Sequence, residues 1–447
     1  MKAKKTIQLS DHFTMKKLLR FVLPSIVMMV FTSIYGVIDG LFVSNFAGKT
    51  SFAAINLIMP FIMILGGTGF MIATGGTALV SKILGEGDNE RAKRYFSMMV
   101  KFAVIVGCLF TVLGIVFTRP IAIFLGATTE MLGDCVLYGR IAMCFTTMFI
   151  LQNVFQSFFI AAERPHLGLT VTVAAGLTNI VLDALFIGGF GLGVAGAALA
   201  TGLSECVGGL FPMMYFIRPN GSPLRLRRTK LEAKTILRAC ANGSSELMSN
   251  ISTSIVSMIY NGQLMRYLGE DGVSAYGVLM YVQFIFIAIS VGYSIGCAPI
   301  IGYNYGAGNH KELKNMLKKS VVVSGSTGVV LTVLAISLAM PLAKVFVGYD
   351  AALYDLTTHA FRLFAFSFLL AGFNIFVSSF FTALNNGAVS AAISFLRTLV
   401  FQSAAVLILP VFFGVDGIWW AITVAEVSAS VISAAFLFAK RKEYKYM

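Results

Sequence analysis

The feature that most constrains this chain is a succession of apolar runs, each about 20 residues long or longer. They raise the hydrophobic share of the 447 residues to 57% and leave only 12% charged. This composition excludes a soluble globular or disordered chain. The runs are continuously apolar and do not alternate between apolar and polar residues, which argues against a transmembrane β-barrel. Because the bilayer interior offers the backbone no hydrogen-bond partners, the spanning segments must be helices. The sequence therefore predicts an all-α integral membrane protein.

Twelve transmembrane helices are predicted between polar, Gly or Pro breaks. Their approximate limits are Phe21 to Phe46, Phe52 to Val80, Phe96 to Phe117, Cys135 to Ala162, Leu167 to Gly189, Gly193 to Ile217, Ala239 to Met265, Val273 to Tyr303, Ser320 to Ala343, Ala360 to Leu384, Val389 to Phe413 and Gly417 to Ala439. The most polar interior stretch, Arg218 to Lys234, separates six helices from six.

The basic residues are distributed unevenly between the two sides of these spans. With both termini in the cytoplasm, 27 of the 34 Lys and Arg residues fall in cytoplasmic segments and four in external segments, and Arg140, Arg362 and Arg397 fall within spans. Such an excess is typical of cytoplasmic loops. The sequence predicts a plasma-membrane protein whose basic loops meet anionic lipids, so the net charge of +14 requires no nucleic-acid partner.

The second half of the chain repeats the first at an offset of 221 to 222 residues. KILGEGD at Lys82 matches YNYGAGN at Tyr303, and QSFFIAA at Gln156 matches SSFFTAL at Ser378. Several pairs at one offset indicate an internal duplication.

Each repeat contains an even number of spans, so both enter the membrane from the same side. Two six-helix bundles are therefore expected to be related by a pseudo-two-fold axis along the membrane normal, with a cleft between them. We predict an N-terminal lobe at residues 1–217, a cytoplasmic linker at 218–235 and a C-terminal lobe at 236–447.

Sequence motifs for catalysis or cofactor binding lack the context that they require. A GxGxxG pattern at Gly191 joins two apolar helices and follows no predicted strand, so it indicates an interhelical turn. The six cysteines show no CxxC spacing, which argues against a disulfide framework or a zinc site. We expect a protein that is not an enzyme and binds no cofactor beyond a coupling ion.

Acidic residues within spans are costly and therefore point to function. The five are Asp39, Asp183, Glu205, Glu246 and Glu426. At a helical rise of 1.5 Å per residue, Asp39 and Asp183 lie within about 9 to 15 Å of the outer surface. Asn179 and Thr201 lie at the same depth.

Asn179 and Asp183 are four residues apart, so one helix face presents an amide and a carboxylate together. With Asp39 opposite, the two carboxylates can share one proton or coordinate a cation such as Na⁺, because carboxylate and amide oxygens suit a hard ion. These three residues form a predicted cation-coupling site. In the alternative interpretation, each Asp only hydrogen-bonds backbone groups freed near neighbouring glycines.

The remaining buried charges allow structural interpretations. Glu205 and Glu426 are repeat mates, which favours an equivalent structural bond within each half. Glu246 has no acidic mate and is either a substrate contact or a hydrogen-bonded polar group. Arg397 is expected to pair with an acidic group or with backbone carbonyls.

Taken together, these motifs resemble a known family. The segments are YGVIDGLFV with Asp39, GLTNIVLDALFI with Asn179 and Asp183, GVAGAALAT ending in Thr201, and the loops KILGEGD and YNYGAGN. They are similar to segments of the multidrug and toxic compound extrusion (MATE) family, nearest its DinF-like and bacterial multidrug branches, and the resemblance covers essentially the whole chain.

The resemblance implies an exporter of lipophilic, often cationic compounds that is driven by inward flow of H⁺ or Na⁺. It implies that Tyr138 and Thr201 belong to the cation site. It also implies that Asp39, Glu246 and Asn374 contact substrate. Where some members place an Asp in span 10, this chain has only Asn374, which argues against a second cation site in the C-terminal half.

The leading hypothesis is a monomeric secondary multidrug antiporter that works by alternating access. One alternative is a lipid-linked precursor flippase of the same superfamily, which would need an Arg-rich cleft for phosphates, whereas the cleft candidates here are acidic. Another is a membrane scaffold without transport activity, which would not need Asp39 or Asp183.

Overall fold

The computed structural model describes residues 7–46 and 49–447, and most of these residues form twelve long helices. The helices are α1 (Met15–Phe46), α2 (Lys49–Gly85), α3 (Asn89–Phe124), α4 (Thr129–Ala161), α5 (Pro165–Gly189), α6 (Gly193–Ile217), α7 (Ala233–Leu268), α8 (Glu270–Gly306), α9 (His310–Val347), α10 (Ala351–Ala383), α11 (Gly387–Phe413) and α12 (Val415–Tyr444). Every predicted span falls on one helix. The N-terminal lysines Lys2, Lys4 and Lys5, for which the sequence predicts a cytoplasmic position, lie outside the described residues.

Irregular turns occur in two of the helices that the structure describes, α5 and α11, and a third, α10, is interrupted by a short turn. The last part of α5, Ala184–Gly189, is π-helical, and α11 contains a second π-helical segment at Leu396–Phe401. A short 3₁₀ turn, Ala365–Ser367, interrupts α10. π-Helical turns change the direction of the side chains that follow them and occur often at functional sites.

The helices form two lobes of six. In the N-terminal lobe, α4 packs against α2, α3 and α6, and α1 packs against α5; in the C-terminal lobe, α10 packs against α8 and α9, and α11 packs against α12. Between the lobes, α1 contacts α8 and α2 contacts α7. These two interfaces are equivalent under the sequence repeat, as the predicted pseudo-two-fold relation requires.

Eleven of the twelve helices are long and apolar enough to span a bilayer, and α7 is the exception among the described helices. Large apolar side chains on the outside of the bundle are exposed, which suits contact with lipid tails. They include Val112, Val116, Phe124, Leu237, Val411, Phe412 and Val431.

We call one end of the bundle the basic end, because it carries the linker and the α2–α3, α4–α5 and α8–α9 turns. There α2 and α8 touch backbone to backbone. A Cβ atom at Gly85 would overlap the backbone oxygen of Tyr303, and one at Gly306 would overlap that of Lys82. The two contacts are repeat mates, so α2 and α8 cross on the pseudo-two-fold axis. Their crossing closes the cleft at the basic end.

The segment before α1 ties the two lobes together at this same end. The Leu9 amide donates to Glu163 in the α4–α5 turn at 2.8 Å, and the Phe13 amide donates to Glu312 on α9 at 3.0 Å. His12 lies 2.7 Å from the same Glu312 carboxylate. Leu9 and Phe13 are buried in an apolar cluster that contains residues of both lobes.

The linker between the lobes packs against α3. Leu224 is buried, the Arg227 amide donates to Ser97 at 2.9 Å, and the Arg227 guanidinium pairs with Glu90 at 2.9 Å. The linker is therefore attached to the N-terminal lobe through apolar and polar contacts.

We expect Gly85→Ala and Gly306→Ala to open the basic end, because the added methyl group meets backbone that cannot rotate away. Overpacking of this kind costs about 1–3 kcal/mol. The measurement is the reaction of an Ala78→Cys variant, in a background without native cysteines, with a membrane-impermeant thiol reagent added from the basic side. Ala78 lines the cleft.

Gly325→Ala is the matched control, since a Cβ atom there meets nothing within 4 Å. This variant should leave the reaction rate unchanged, because an unhindered Gly→Ala change in a helix is neutral or stabilising. Equal rates in all three variants would contradict closure by the glycine contact.

Candidate cation site and central cavity

A cavity of about 900 Å³ lies between the lobes. Its walls come mainly from α1, α2, α7, α8, α10 and α11, with one residue each from α4 (Ser157) and α12 (Ile422). The residues that α7 contributes are mostly polar, namely Glu246, Ser249, Asn250, Thr253, Ser254, Val256, Ser257 and Tyr260. Polar residues in a spanning helix are tolerated where they face a cavity. This position explains why α7 is less apolar than the other eleven helices.

The predicted cation residues meet within the N-terminal lobe. Asp39 on α1 contacts the side chains of both Asn179 and Asp183 on α5. Asn179 and Asp183 are buried, and Asp39 is half-buried. A Cβ atom at Gly176 would contact Tyr35 of α1, so this glycine permits the close approach of the two helices.

Four oxygens of this group receive no hydrogen bond from any described residue. They are Asp39 Oδ1, Asn179 Oδ1 and both carboxylate oxygens of Asp183. The Asn179 amide nitrogen lies 3.5 Å from Thr201 Oγ1 and donates to it, which leaves the Asn179 oxygen free. A buried acceptor without a donor is costly, so these oxygens suit a proton or a small cation. Asp183 also lies directly before the π-helical end of α5.

Tyr138, Tyr35 and Glu205 lie near this group. Tyr138 is buried, and both tyrosines lie within electrostatic range of Asp39 and Glu205. Sequence reasoning missed Tyr35, although it precedes Asp39 by one helical turn and therefore shares its face.

The C-terminal lobe uses its buried acid differently. Glu426 is 2% exposed and accepts hydrogen bonds from Arg397 Nε at 2.9 and 3.0 Å. The two side chains also form an ion pair, with Arg397 Nη2 2.7 Å from Glu426 Oε1. The Asn374 amide also donates to it at 2.7 Å. The expected acidic partner of Arg397 is thus Glu426. Glu205, the repeat mate of Glu426, has no basic partner among the described residues, so the expected equivalence of the two bonds is wrong.

The residues predicted to contact substrate are not brought together. Glu246 lines the central cavity. Asn374 is fully buried outside it, and its side-chain oxygen accepts from Ser430 and Ser433 at 3.2 and 3.1 Å. Asp39 faces α5, although Gly36 and Val37 before it line the cavity. The structure therefore places Asn374 in the hydrogen-bond network around Glu426, outside the residues that line the cavity.

The repeat provides no polar counterpart for the α5 pair. At an offset of 221 or 222 residues, Asn179 corresponds to Val400 or Phe401 and Asp183 to Ala404 or Ala405. The cation-type cluster thus belongs to the N-terminal lobe alone among the described residues.

Two repeated six-helix lobes around a central cavity define a multi-pass membrane protein of the transporter class. The family model described as MatE matches the chain twice, at residues 24–185 and 247–406. The chain belongs to this family, whose members include multidrug efflux transporters. The multidrug export protein MepA of Staphylococcus saprophyticus is 25% identical over 428 residues, which cover 95% of this chain and 94% of that protein. MepA of Staphylococcus aureus is 24% identical over the same coverage.

Solved structures share the fold. The structure described as MATE in complex with MaL6 has a TM-score of 0.93 and 21% identity, and covers 100% of both chains. A structure titled as the outward-facing conformation of a multidrug resistance MATE family transporter has the same TM-score and coverage at 22% identity. The structure of a Pyrococcus furiosus transporter, titled as having a binding pocket of reverse polarity, has a TM-score of 0.92 and 22% identity, again with 100% coverage of both chains.

Proposed function

We propose that this protein is a secondary active antiporter that exports lipophilic cationic compounds in exchange for H⁺ or Na⁺. The observation that carries the proposal is the group of four unpartnered acceptor oxygens on Asp39, Asn179 and Asp183. They lie in one lobe beside, and not within, a cavity large enough for an organic molecule.

The coupling cycle follows from this arrangement. When the cleft is open to the outside, Asp39 and Asp183 take up a proton or Na⁺, which removes the repulsion between their carboxylates. The helices around Asn179 then repack, and the hold on a cationic substrate weakens. When the cleft faces the cytoplasm, the ion leaves and the recharged pair again favours substrate binding.

Competition between ion and substrate tests this proposal. The affinity of the purified protein for a monovalent cationic dye should fall as pH drops if H⁺ couples, or as Na⁺ rises at fixed pH if Na⁺ couples. Linkage requires the antagonism to be reciprocal, so saturating dye should weaken ion binding by the same factor. If dye affinity responds to neither ion while transport continues, the proposed coupling between ion binding and substrate binding is refuted. Efflux driven separately by a pH gradient and by a Na⁺ gradient identifies the ion.

A lipid-linked precursor flippase is less compatible with the cavity. Only one basic side chain, Arg397, is among the cavity residues of the described chain, and it is already paired with Glu426. A pyrophosphate needs several basic groups. A scaffold protein, in turn, gains nothing from unpartnered acids in the membrane.

We propose that both termini are cytoplasmic, which makes the basic end the cytoplasmic end and the described conformation outward-facing. In this arrangement residues 1–217 and 236–447 move as lobes of one monomer in the plasma membrane, joined by the linker at 218–235.

Single cysteines at the two ends test the orientation. Ser51→Cys should react with an impermeant reagent from outside the cell, and a cysteine in the α8–α9 turn only from inside. Gly308 has φ +65°, which a cysteine would strain, so the exposed neighbour Ala307 is the better site. Labelling of both positions from outside would overturn the orientation.

A further inference from the structure

The first helix of each lobe is preceded by a segment that docks on the opposite lobe. Residues 7–13, which we call the N-terminal strap, precede α1 of the N-terminal lobe but bind Glu312 on α9 of the C-terminal lobe. The linker precedes α7 of the C-terminal lobe but binds Glu90 on α3 of the N-terminal lobe. The linker crosses because it joins the two lobes. The strap leads into α1, so chain connectivity does not require it to dock on α9.

The two acids that hold these segments are repeat mates. At an offset of 222 residues, Glu90 corresponds to Glu312. Glu90 pairs with the Arg227 guanidinium of the linker at 2.9 Å. Glu312 accepts from the Phe13 amide at 3.0 Å through Oε1, and its Oε2 lies 2.7 Å from His12 Nδ1. The lobes therefore have equivalent docking positions, of which the linker occupies the one on α3 and the strap the one on α9.

The end of the strap next to α1 is held firmly on α9. Phe13 is fully buried in an apolar cluster that includes Leu313 and Leu317 of α9. Its backbone oxygen accepts hydrogen bonds from Asn315 Nδ2 at 3.1 Å and from Lys319 Nζ. This end of the strap is therefore fixed to the C-terminal lobe through its amide, its carbonyl group and its ring.

The other end of the strap is attached to the N-terminal lobe by a carboxylate. The Leu9 amide donates to Glu163 Oε1 at 2.8 Å. Glu163 lies in the turn between α4 and α5 with φ +60°, a left-handed conformation that glutamate rarely adopts. Its repeat mate, Asn385, has φ +59° and is of a residue type that this conformation favours. A glutamate therefore stands where asparagine would fit the backbone better, and its side chain binds the strap.

We propose that the N-terminal strap is a latch that holds the basic end closed and is released when the cleft opens at that end. Because Glu312 and Glu163 bind the strap from different lobes, the lobes cannot separate at this end while both contacts persist. The hydrogen bond between Leu9 and Glu163 is the one that breaks, because Phe13 is held on α9 by several groups at once. The inference rests on the proposed alternating access and names a contact that controls one of its two states.

Distances between spin labels at the basic end test the latch. The labels are attached to cysteines at His166 on α5 and Lys314 on α9, which are exposed and lie in different lobes. The full-length protein, without native cysteines, is measured in nanodiscs by pulsed electron paramagnetic resonance. Glu163→Asn removes the carboxylate that reaches Leu9 and suits the left-handed turn, so thermal stability should be unchanged or higher. Because a hydrogen bond to a charged group is lost, we expect the ratio of long to short distances to rise about tenfold.

Glu443→Asn is the matched control for this substitution. Glu443 is an exposed acid near the end of α12 and pairs with Lys440, not with the strap. The control should therefore leave both the distances and the thermal stability unchanged. A distance distribution in Glu163→Asn that equals that of the unmodified protein overturns the latch, and so does an equal shift in Glu443→Asn.

A reversible crosslink provides the converse test and separates this inference from the proposed function. Cysteines at Glu163 and at Ser10, an exposed strap residue next to Leu9, are joined by a bis-methanethiosulfonate reagent that dithiothreitol removes. The joined protein should not transport rhodamine 6G in proteoliposomes, and reduction should restore transport. Equal transport before and after reduction overturns the latch. If the protein transports no dye in either condition while Glu163→Asn shifts the distances, the proposed function fails and the latch stands.

Discussion

Asp183→Asn is expected to reduce ion-coupled efflux by about 10²-fold or more while the protein remains folded in the membrane. An amide cannot exchange a proton or carry the charge that a cation neutralises. Because no described residue donates to either oxygen of Asp183, the change removes no hydrogen bond. It also removes the repulsion from Asp39. Thermal stability should therefore be unchanged or higher, whereas efflux from inverted vesicles is lost.

Asp39→Asn should also strongly reduce efflux, because an amide at this position cannot exchange a proton either. Asp355→Asn is the matched control, because Asp355 is exposed on α10 and far along the chain from the cluster. It should retain wild-type efflux and stability. A fall in stability that parallels the loss of efflux in the Asp183 and Asp39 variants would instead indicate that the two acids are structural.

Glu426→Ala is expected to produce the largest loss of stability, about 3–5 kcal/mol of unfolding free energy, because it leaves the Arg397 charge unpaired inside the protein. It also removes the carboxylate to which Asn374 donates at 2.7 Å. The measurement is unfolding in a denaturant titration, alongside the amount of protein in the membrane. Glu426→Gln, which retains an acceptor, should be milder, and its effect on efflux smaller than that of Asp183→Asn.

Two controls test whether the loss of stability in Glu426→Ala comes from breaking the ion pair between Arg397 and Glu426. Glu205→Ala removes the repeat mate, which has no basic partner in the described part of the chain, so its stability loss should be small. The double change of Glu426 and Arg397 to Met removes both charges together and should recover most of the stability, because an apolar pair of similar volume avoids the desolvation cost. A double variant as unstable as Glu426→Ala would show that the charge pair is not the cause.

The sequence by itself determined the features that depend on local composition and order. Run length predicts the helices, because a span needs about 20 apolar residues whatever it packs against. The duplication predicts two equivalent lobes, and the α2–α3 and α8–α9 turns show it directly, with Gly87 and Gly308 both at positive φ. The contact of Asp39 with Asn179 and Asp183 could be predicted from depth and from four-residue spacing, since both are properties of single helices.

Only the tertiary structure decided which side of each helix faces which neighbour. Asn374 and Ile375 are adjacent in sequence, yet Ile375 lines the cavity and Asn374 donates to Glu426. Neighbouring residues point about 100° apart around a helix, so a small rotation exchanges their roles, and that rotation is set by packing. The same reason applies to Arg397, whose acidic partner comes from a different helix. Glu205 and Glu426 occupy equivalent positions in the two repeats. Only the packed lobes show that Glu426 is paired with an arginine and that Glu205 has no basic partner among the described residues.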